Sequence, residues 1–159
     1  MFIDKFSLVI EPGDPLGGEA LELLQQMRTE ALRLYSDVIA ASAPPTNEPV
    51  VSGSAFLLAR LGPQIVGCAA LRPLTSEVAE VKRMYVAQSV HRRGIARLFL
   101  TSLERIASGF GYRIVRLETG VRQPEAIALY ESQGFHRIPR YGDHVADPLS
   151  LCFEKHLPN

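Results

Sequence analysis

The stretch Val81-Lys82-Arg83-Met84-Tyr85-Val86, followed by His91-Arg92-Arg93-Gly94-Ile95-Ala96, decides the fold of this chain. An apolar strand leads into a polar loop with two arginines and a glycine, and that loop opens directly into an amphipathic helix. The first backbone N–H groups of a helix have no partner within the helix, and the helix dipole adds positive potential at the same end. The pattern therefore predicts an anion site, and in particular a phosphate site, at the start of this helix.

The residues around this loop suit a phosphorylated ligand. Gly94 tolerates backbone conformations that other residues rarely adopt, and Arg92, Arg93 and Arg97 carry guanidinium groups that match phosphate in shape and charge. The alternative is a plain strand–loop–helix connection without a ligand. The sequence has no Walker motif, and the loop lacks the further glycines of a dinucleotide fingerprint. With these two phosphate-binding motifs excluded, the sequence favours a nucleotide-bearing ligand that is bound without a Walker lysine.

Hydrophobic periodicity and turn residues divide the chain into seven strands and three helices in the order β-α-β-β-β-α-β-α-β-β. This order predicts a mixed sheet covered by helices, in the α+β or α/β class. A turn-rich segment at Glu11–Pro15 ends the first strand, and a proline-rich loop at Ser42–Pro49 follows the first helix. The predicted strands are Phe6–Ile10, Ser54–Arg60, Gln64–Leu71, Glu77–Val86, Arg113–Glu118, Phe135–Ile138 and Leu149–Lys155, and the helices are Ala20–Val38, Ile95–Phe110 and Pro124–Gly134.

Length and composition are those of a single soluble domain spanning residues 1–159. Seventeen basic residues balance seventeen acidic ones, which argues against a nucleic acid or an anionic membrane as partner. Cys68 and Cys152 lie in apolar strands and are predicted to be core thiols and not a disulfide. Without a signal peptide or a long apolar run, the chain is expected to be cytoplasmic. The histidines have no metal-ligand spacing, so no metal is expected.

Two motifs resemble those of a known family, the GNAT superfamily of N-acyltransferases. The run Glu80–Val86, eight residues before Gly94-Ile95-Ala96, is similar to its acetyl-CoA-binding motif, whose loop reads [QR]-x-x-G-x-[GA]; His91 stands at the Gln/Arg position. Downstream, Ala126–Phe135 resembles the segment A-x-x-L-Y-x-x-x-G-F, and Gln123 stands where many members carry Asn. The motifs occur in the order and spacing of the family, and the resemblance covers the chain from about Phe6 to Leu157.

The resemblance implies a specific architecture and a cofactor site. It implies an α/β/α arrangement within the α+β class, with a mostly antiparallel sheet of six to seven strands that splays into a V between the fourth and fifth strands. The pyrophosphate of acetyl-CoA would bind at the Gly94 helix, and the pantetheine arm would pair with the fourth strand as an added strand does. A bulge near Met84 would let its N–H act as oxyanion donor. The implied cofactor-binding residues are Met84, Tyr85, Val86, His91, Arg92, Arg93, Gly94, Ile95, Ala96, Arg97 and Gln123.

The resemblance further implies acetyl transfer from acetyl-CoA to a primary amine by direct attack in a ternary complex. Tyr130 matches the family's usual acid for the leaving thiolate, although a core tyrosine packed on Ile127 and Phe135 is the alternative. For the base, Glu80 is the first candidate and Glu118 the competitor. Either carboxylate could instead be exposed at a strand end and form a surface ion pair with Lys82 or Arg116, which would contribute little.

The acceptor is not fixed by the sequence. Tyr35, Tyr141 and His144 are the candidate acceptor contacts, although a solvated surface loop at Arg140–Pro148, which carries the last two, is the favoured alternative. The low charge of this loop and of Ser42–Pro49 favours a small-molecule amine over a protein amine. The acyl-chain preference and a homodimer through exposed strand edges stay open. The competing function is a non-catalytic acyl-CoA-binding or sensing module.

Overall fold

The computed structural model describes residues 7–39 and 45–159, and its helices and strands follow the predicted order. The start of the first predicted strand at Phe6 and residues 42–44 of the predicted loop lie outside the described residues. The strands are β1 (Leu8–Pro12), β2 (Ala55–Leu61), β3 (Gln64–Pro73), β4 (Val78–Val86), β5 (Ile114–Gly120), β6 (His136–Ile138) and β7 (Ser150–His156). The helices are α1 (Gly18–Ile39), α2 (Ile95–Gly109) and α3 (Pro124–Ser132), with 3₁₀ turns at Gln88–Val90 and Gly142–His144.

The seven strands form one sheet in the order β1-β2-β3-β4-β5-β7-β6. Every neighbouring pair is antiparallel except β4 and β5, which run parallel because α2 crosses over between them. The predicted mixed, mostly antiparallel sheet is therefore confirmed. The strands β1 and β6 are its edges.

One predicted boundary is wrong in the first strand. Glu11 and Pro12, which the sequence places in a turn, pair with Leu58 and Leu57 of β2 and belong to β1. Proline is tolerated here because β1 is an edge strand, whose outward N–H positions need no partner.

Helices cover both faces of the sheet. On one face, α2 and α3 pack over the larger buried cluster, in which Phe99, Leu103 and Phe153 are fully buried. On the other face, α1 packs over a smaller cluster through Ala20 and Leu23. The alternation Phe56, Leu57, Leu58, Ala59 along β2 feeds the two clusters in turn, as the two-residue period of a strand requires. The helices over both faces bury the central strands, whose apolar runs are therefore nearly continuous.

None of the described helices has the length and apolar character needed to cross a bilayer. Cys68 and Cys152 are both buried and unpaired, as predicted. Burial raises the pKa of the Cys68 thiol to about 12, which keeps it protonated and unreactive at neutral pH.

Candidate active site

The sheet opens between β4 and β5. The parallel pairing runs from Val78 opposite Ile114 to Val81 opposite Leu117 and ends there, so the second half of β4 has no neighbour on its β5 side. From Glu118 onward, β5 pairs with β7 alone. The divergence creates a cleft of about 970 Å³. Its walls are the splayed strands, the inner face of α1 from Met27 to Tyr35, Tyr130 of α3 and the loop before β7. The predicted V-shaped splay is thus present.

A β-bulge lies where β4 leaves β5. Lys82 is opposite Ala70 and Tyr85 is opposite Cys68, so Arg83 and Met84 share a single partner residue on β3. Arg83 has φ +56°, a value that is uncommon for a residue with a side chain. The Cys68 thiol donates to the Arg83 carbonyl at 3.2 Å and holds the bulge. The bulge therefore lies where the resemblance implied it, with the Met84 N–H beside the cleft.

The loop before α2 leaves a run of backbone donors unpaired. Gly94 precedes the helix in the left-handed conformation (φ +78°) and Arg92 is also left-handed (φ +66°). The first helical bond runs from the Leu98 N–H to the Gly94 carbonyl, and no side chain caps the helix. Within the described part of the chain, the N–H groups of residues 92–97 donate to no acceptor. Six free donors at a helix start form a nest for an anion.

The cationic side chains around this nest are free to meet an anion. Arg92, Arg93 and Arg97 are exposed. The guanidinium of Arg92 lies 3.7 Å from the Glu125 carboxylate, but both side chains are largely exposed and such a pair contributes little. His91 is different: its Nε2–H donates to the Val86 carbonyl at 2.7 Å, which ties the loop to the end of β4. The side chain of His91 thus holds the loop in place.

Tyr130 is packed in the core and also borders the cleft. Its ring packs edge-on to Phe135 and at a tilt to Phe153, and only 7% of its surface is exposed. The same residue lines the cleft, and its hydroxyl donates to no described group. Burial, and secondarily the charge of Glu118, raises the pKa of Tyr130 above its ordinary value. The hydroxyl therefore stays protonated at neutral pH.

The Glu80 side chain is buried, with 5% of the residue exposed, so the alternative of a surface carboxylate is wrong. Its Oε2 atom accepts a hydrogen bond from the Tyr141 hydroxyl and lies 3.2 Å from His144 Nε2. Its Oε1 atom lies 3.9 Å from the Lys82 ammonium group. Burial is tolerated because these donors and this cation replace the lost water.

Glu118 faces Glu80 across the cleft. Its Oε1 atom accepts the Ser150 hydroxyl at 2.9 Å, and its Oε2 atom lies 3.9 Å from His144 Nδ1. The alternative ion pair with Arg116 is wrong, because Arg116 binds Glu154 at 2.9 Å instead. Burial raises the pKa of Glu118, with Asp147 and Glu80 adding to it, while the Ser150 hydrogen bond and His144 oppose the rise.

The loop before β7 turns two aromatic side chains inward. The Tyr141 and His144 rings pack edge-on with centroids 5.2 Å apart, and the Arg116 guanidinium lies 5.2 Å from the Tyr141 ring centroid. The rest of the loop at residues 142–148 is exposed, as predicted, but these two side chains are partly buried and contact Glu80. Burial and the bond to Glu80 raise the pKa of Tyr141 far above its ordinary value, so its hydroxyl is a permanent donor.

Residues 22–135 match the model of the acetyltransferase (GNAT) family. The chain belongs to this family. An IAA acetyltransferase of Azospirillum brasilense is 42% identical over 103 residues, which cover 64% of this chain and 67% of the relative. A protein from Klebsiella pneumoniae, described as an acyl-CoA N-acyltransferase, has a crystal structure with TM-score 0.77 and 27% identity, over 94% of this chain and 97% of that one. The chain spans about half to two thirds of the length of the curated relatives it matches.

The GNAT fold extends to more distant structures. A GNAT acetyltransferase of Elizabethkingia anophelis, solved with acetyl-CoA bound, superposes with TM-score 0.68 at 18% identity, over 96% of this chain and all of that one. At this identity the likeness shows the fold. The predicted GNAT fold and membership of the N-acyltransferase class are confirmed.

Three other predicted site residues have defined positions. Gln123 precedes α3 without capping it through its side chain, and its amide lines the cleft. The Tyr85 hydroxyl donates to Glu30 of α1 at 3.0 Å, which holds its side chain against that helix. The Tyr35 hydroxyl lines the cleft but accepts the Arg122 N–H at 3.1 Å.

The sequence did not predict the contacts of Arg122 with Tyr35 and Asp37. The Arg122 guanidinium lies 5.1 Å from the Tyr35 ring centroid and binds the Asp37 carboxylate at 2.7 and 3.0 Å. These contacts join the end of α1 to the loop that follows β5. The kink of α1 at Tyr35 (φ −128°) gave no sequence signal. Ser150 was missed for the same reason, because a single hydroxyl carries no periodicity.

No group of three or more His, Cys, Asp or Glu side chains in residues 7–39 and 45–159 is arranged to hold a metal ion.

Glu118 is expected to cost stability at neutral pH. A raised folded-state pKa means that this carboxyl contributes stability at low pH and loses it as the pH rises through that pKa. The free energy of unfolding of Glu118→Gln minus that of the wild type should therefore increase as the pH rises from about 4 to about 7. Urea denaturation at several pH values measures this, with the exposed Glu131→Gln as control. A constant or falling difference would contradict the expectation.

Proposed function

We propose that this protein is an N-acetyltransferase that moves an acetyl group from acetyl-CoA to a primary amine by direct attack in a ternary complex. The observation that carries the proposal is the cleft along the unpaired edge of β4, which Tyr130, the buried Glu80 and the partly buried Glu118 also line. The loop that follows β4 carries the unpaired N–H groups of residues 92–97. Such a strand edge, followed along the chain by an anion-binding loop, suits a ligand with a diphosphate at one end and a reactive thioester at the other.

The chain's own groups divide the work. The nest at residues 92–97 and the exposed arginines would hold the diphosphate, and the second half of β4 would pair with the pantetheine amides. The Met84 N–H at the bulge would donate to the thioester carbonyl oxygen, where negative charge grows during attack. The Tyr130 hydroxyl would protonate the departing sulfur. Acetyl-CoA supplies the activated acyl group.

The charges of the cleft support an acceptor that arrives as a cation. Five carboxylates line it, against two permanent cations and one histidine. This surplus favours an ammonium group over an acceptor with its own carboxylate. The carboxylates are Glu30, Glu80, Glu118, Asp143 and Asp147, and the basic residues are Lys82, Arg83 and His144. The apolar side chains of α1 (Met27, Ala31 and Leu34) leave one wall for a hydrocarbon part of a small-molecule amine.

Thiol release tests the proposal directly. The protein is incubated with acetyl-CoA and a panel of primary amines, and free CoA is followed with a thiol reagent; propionyl- and succinyl-CoA test the acyl preference. We expect release that depends on the amine and an N-acetylated product by mass spectrometry. Binding of CoA by calorimetry without release for any amine would favour the non-catalytic acyl-CoA-binding module instead.

Gly94→Ala is expected to weaken CoA binding by about 5- to 30-fold, since a side chain in the left-handed conformation costs roughly 1–2 kcal/mol and the loop must reshape. Gly111→Ala is the matched control, because Gly111 also has positive φ (+91°) and open space around its Cβ position but follows the other end of α2. Calorimetry with CoA measures the affinity. Equal effects of the two substitutions would show that Gly94 acts through stability alone.

A further inference from the structure

The His144 imidazole bridges the two candidate bases. Its Nε2 atom lies 3.2 Å from Glu80 Oε2 on β4, and its Nδ1 atom lies 3.9 Å from Glu118 Oε2 on β5. The side chain is 21% exposed and lines the cleft, so one edge of the ring is open to a substrate. The pairing of β4 and β5 ends one residue beyond Glu80, at Val81 opposite Leu117, and Glu118 is the first residue of β5 past it.

Hydrogen bonding fixes which nitrogen carries the proton. Glu80 Oε2 is an acceptor, so the 3.2 Å contact requires that His144 Nε2–H donates. In a neutral imidazole, Nδ1 then carries the lone pair. The Tyr141 hydroxyl donates to the same Glu80 oxygen, and its ring packs edge-on against His144. Glu80 thus has its Oε2 atom occupied by two donors, whereas Nδ1 has no hydrogen-bond partner closer than the 3.9 Å contact with Glu118.

We propose that His144 Nδ1 is the base that deprotonates the acceptor, that Glu118 binds the incoming ammonium group, and that Glu80 and Tyr141 are positioning residues for the imidazole. This proposal rests on the proposed acetyl transfer. It gives the role of the base to His144, which the sequence placed among the acceptor contacts, instead of to Glu80 or Glu118. The arrangement resembles in its logic an acid–base dyad in which a buried carboxylate sets the tautomer of a histidine.

The proton and electron balance closes with solvent as the only other participant. The ammonium gives one proton to Nδ1, and the freed lone pair forms the N–C bond while the C–S bond breaks and its electrons stay on sulfur. The sulfur takes the Tyr130 proton. The second amine proton is lost to solvent, from which Tyr130 recovers its own, and the imidazolium returns its proton to solvent. No oxidant, reductant or further reactant is needed.

The charged and titratable groups around His144 come from four elements. They are Glu80 and Lys82 on β4, Glu118 and Arg116 on β5, Cys152 on β7, and Tyr141, Asp143 and Asp147 on its own loop. The two nearest charged groups are the carboxylates, and Lys82 and Arg116 are held against Glu80 and Glu154. An acidic limb in kcat/KM is the expected signature of a histidine base, because an imidazolium cannot accept the proton of the acceptor.

Two probe amines of nearly equal size separate a base from a structural residue. Ethylamine reaches the enzyme almost wholly as an ammonium ion at neutral pH, whereas trifluoroethylamine, a far weaker base, arrives largely as the free amine. His144→Gln should lower kcat/KM for ethylamine by roughly 10²- to 10⁴-fold and for trifluoroethylamine by less than about 10-fold. The acidic limb should disappear with the same variant. Imidazole added to His144→Ala should restore part of the ethylamine rate.

The positioning residues have their own signature. Tyr141→Phe removes the bond to Glu80 but keeps the ring beside His144, and Glu80→Gln offers an amide that no longer favours the Nε2–H tautomer. Both variants should keep CoA binding and lower the ethylamine rate more than the trifluoroethylamine rate. Glu118→Gln should chiefly raise KM for ethylamine and leave the acidic limb in place.

Several results would overturn the inference. The inference is wrong if His144→Gln lowers kcat/KM equally for both amines, or if imidazole does not restore the rate of His144→Ala. It is also wrong if the acidic limb vanishes in Glu118→Gln but stays in His144→Gln. Wild-type thiol release with other amines but an unchanged rate in His144→Gln would remove His144 while leaving the proposed function intact. Absence of wild-type release with every amine would remove both.

Discussion

Tyr130→Phe is expected to lower kcat for acetyl transfer by roughly 10- to 10⁴-fold, the range of lost general acid catalysis, while CoA binding persists. The hydroxyl lines the cleft without a described partner, so its removal leaves no orphaned group behind. The ring contacts with Phe135 and Phe153 remain, and the fold should therefore be unaffected. Stopped-flow or steady-state thiol release gives kcat, and calorimetry with CoA gives the affinity.

Tyr112→Phe is the matched control for this substitution. Tyr112 is also a buried tyrosine, and its hydroxyl donates to the Gly53 carbonyl at 2.7 Å, away from the cleft. Tyr112→Phe should lower the stability somewhat and leave kcat unchanged. Tyr130→Phe should leave the stability unchanged and lower kcat. If both variants kept full turnover, Tyr130 would be a core residue that happens to border the cleft.

The environment of Tyr130 explains how a tyrosine serves this step. Burial raises the pKa of its hydroxyl, which keeps the proton in place before the reaction. The sulfur would accept this proton as the C–S bond breaks. The buried hydroxyl and the His144 imidazole would thus act at different stages of one reaction.

The order of the elements could be predicted because it depends on local signals. The strands β2 and β3 are apolar runs, and the stripe along α2 repeats with the helical period; both depend only on neighbours in the sequence. The ends were less predictable. β5 continues to Gly120, two residues beyond its predicted end, because β7 provides partners up to Ser150.

The uncapped start of α2 and its free N–H groups could also be predicted, because the loop of residues 91–96 is contiguous in sequence. The contacts of Tyr141 and His144 with Glu80 could not, although both residues were candidates. Tyr141 and His144 lie 61 and 64 residues from Glu80, and neither carries a period or a turn signal that links it to β4. Only the fold brings the loop before β7 onto the split between two strands. The Arg122 contact with Tyr35, 87 residues apart, is invisible in the sequence for the same reason.

Phe153→Ala is expected to lower the free energy of unfolding by about 3–5 kcal/mol, the cost of emptying a large aromatic site in a packed core. Phe153 is completely buried in β7, beside Tyr130 and opposite Leu117 of β5. The melting temperature should fall by roughly 6–20 °C for a chain of this size, which differential scanning calorimetry measures.

Phe110→Ala is the matched control, because Phe110 is 49% exposed at the end of α2 and its removal should cost less than about 1 kcal/mol. Phe153→Leu separates stability from function. Leucine retains most of the buried volume but removes the ring that packs against Tyr130. The free energy of unfolding should therefore change little, whereas kcat should fall. Normal turnover in Phe153→Leu would show that Phe135 alone holds the Tyr130 ring. Similar losses of stability in Phe153→Ala and Phe110→Ala would mean that the core does not centre on Phe153.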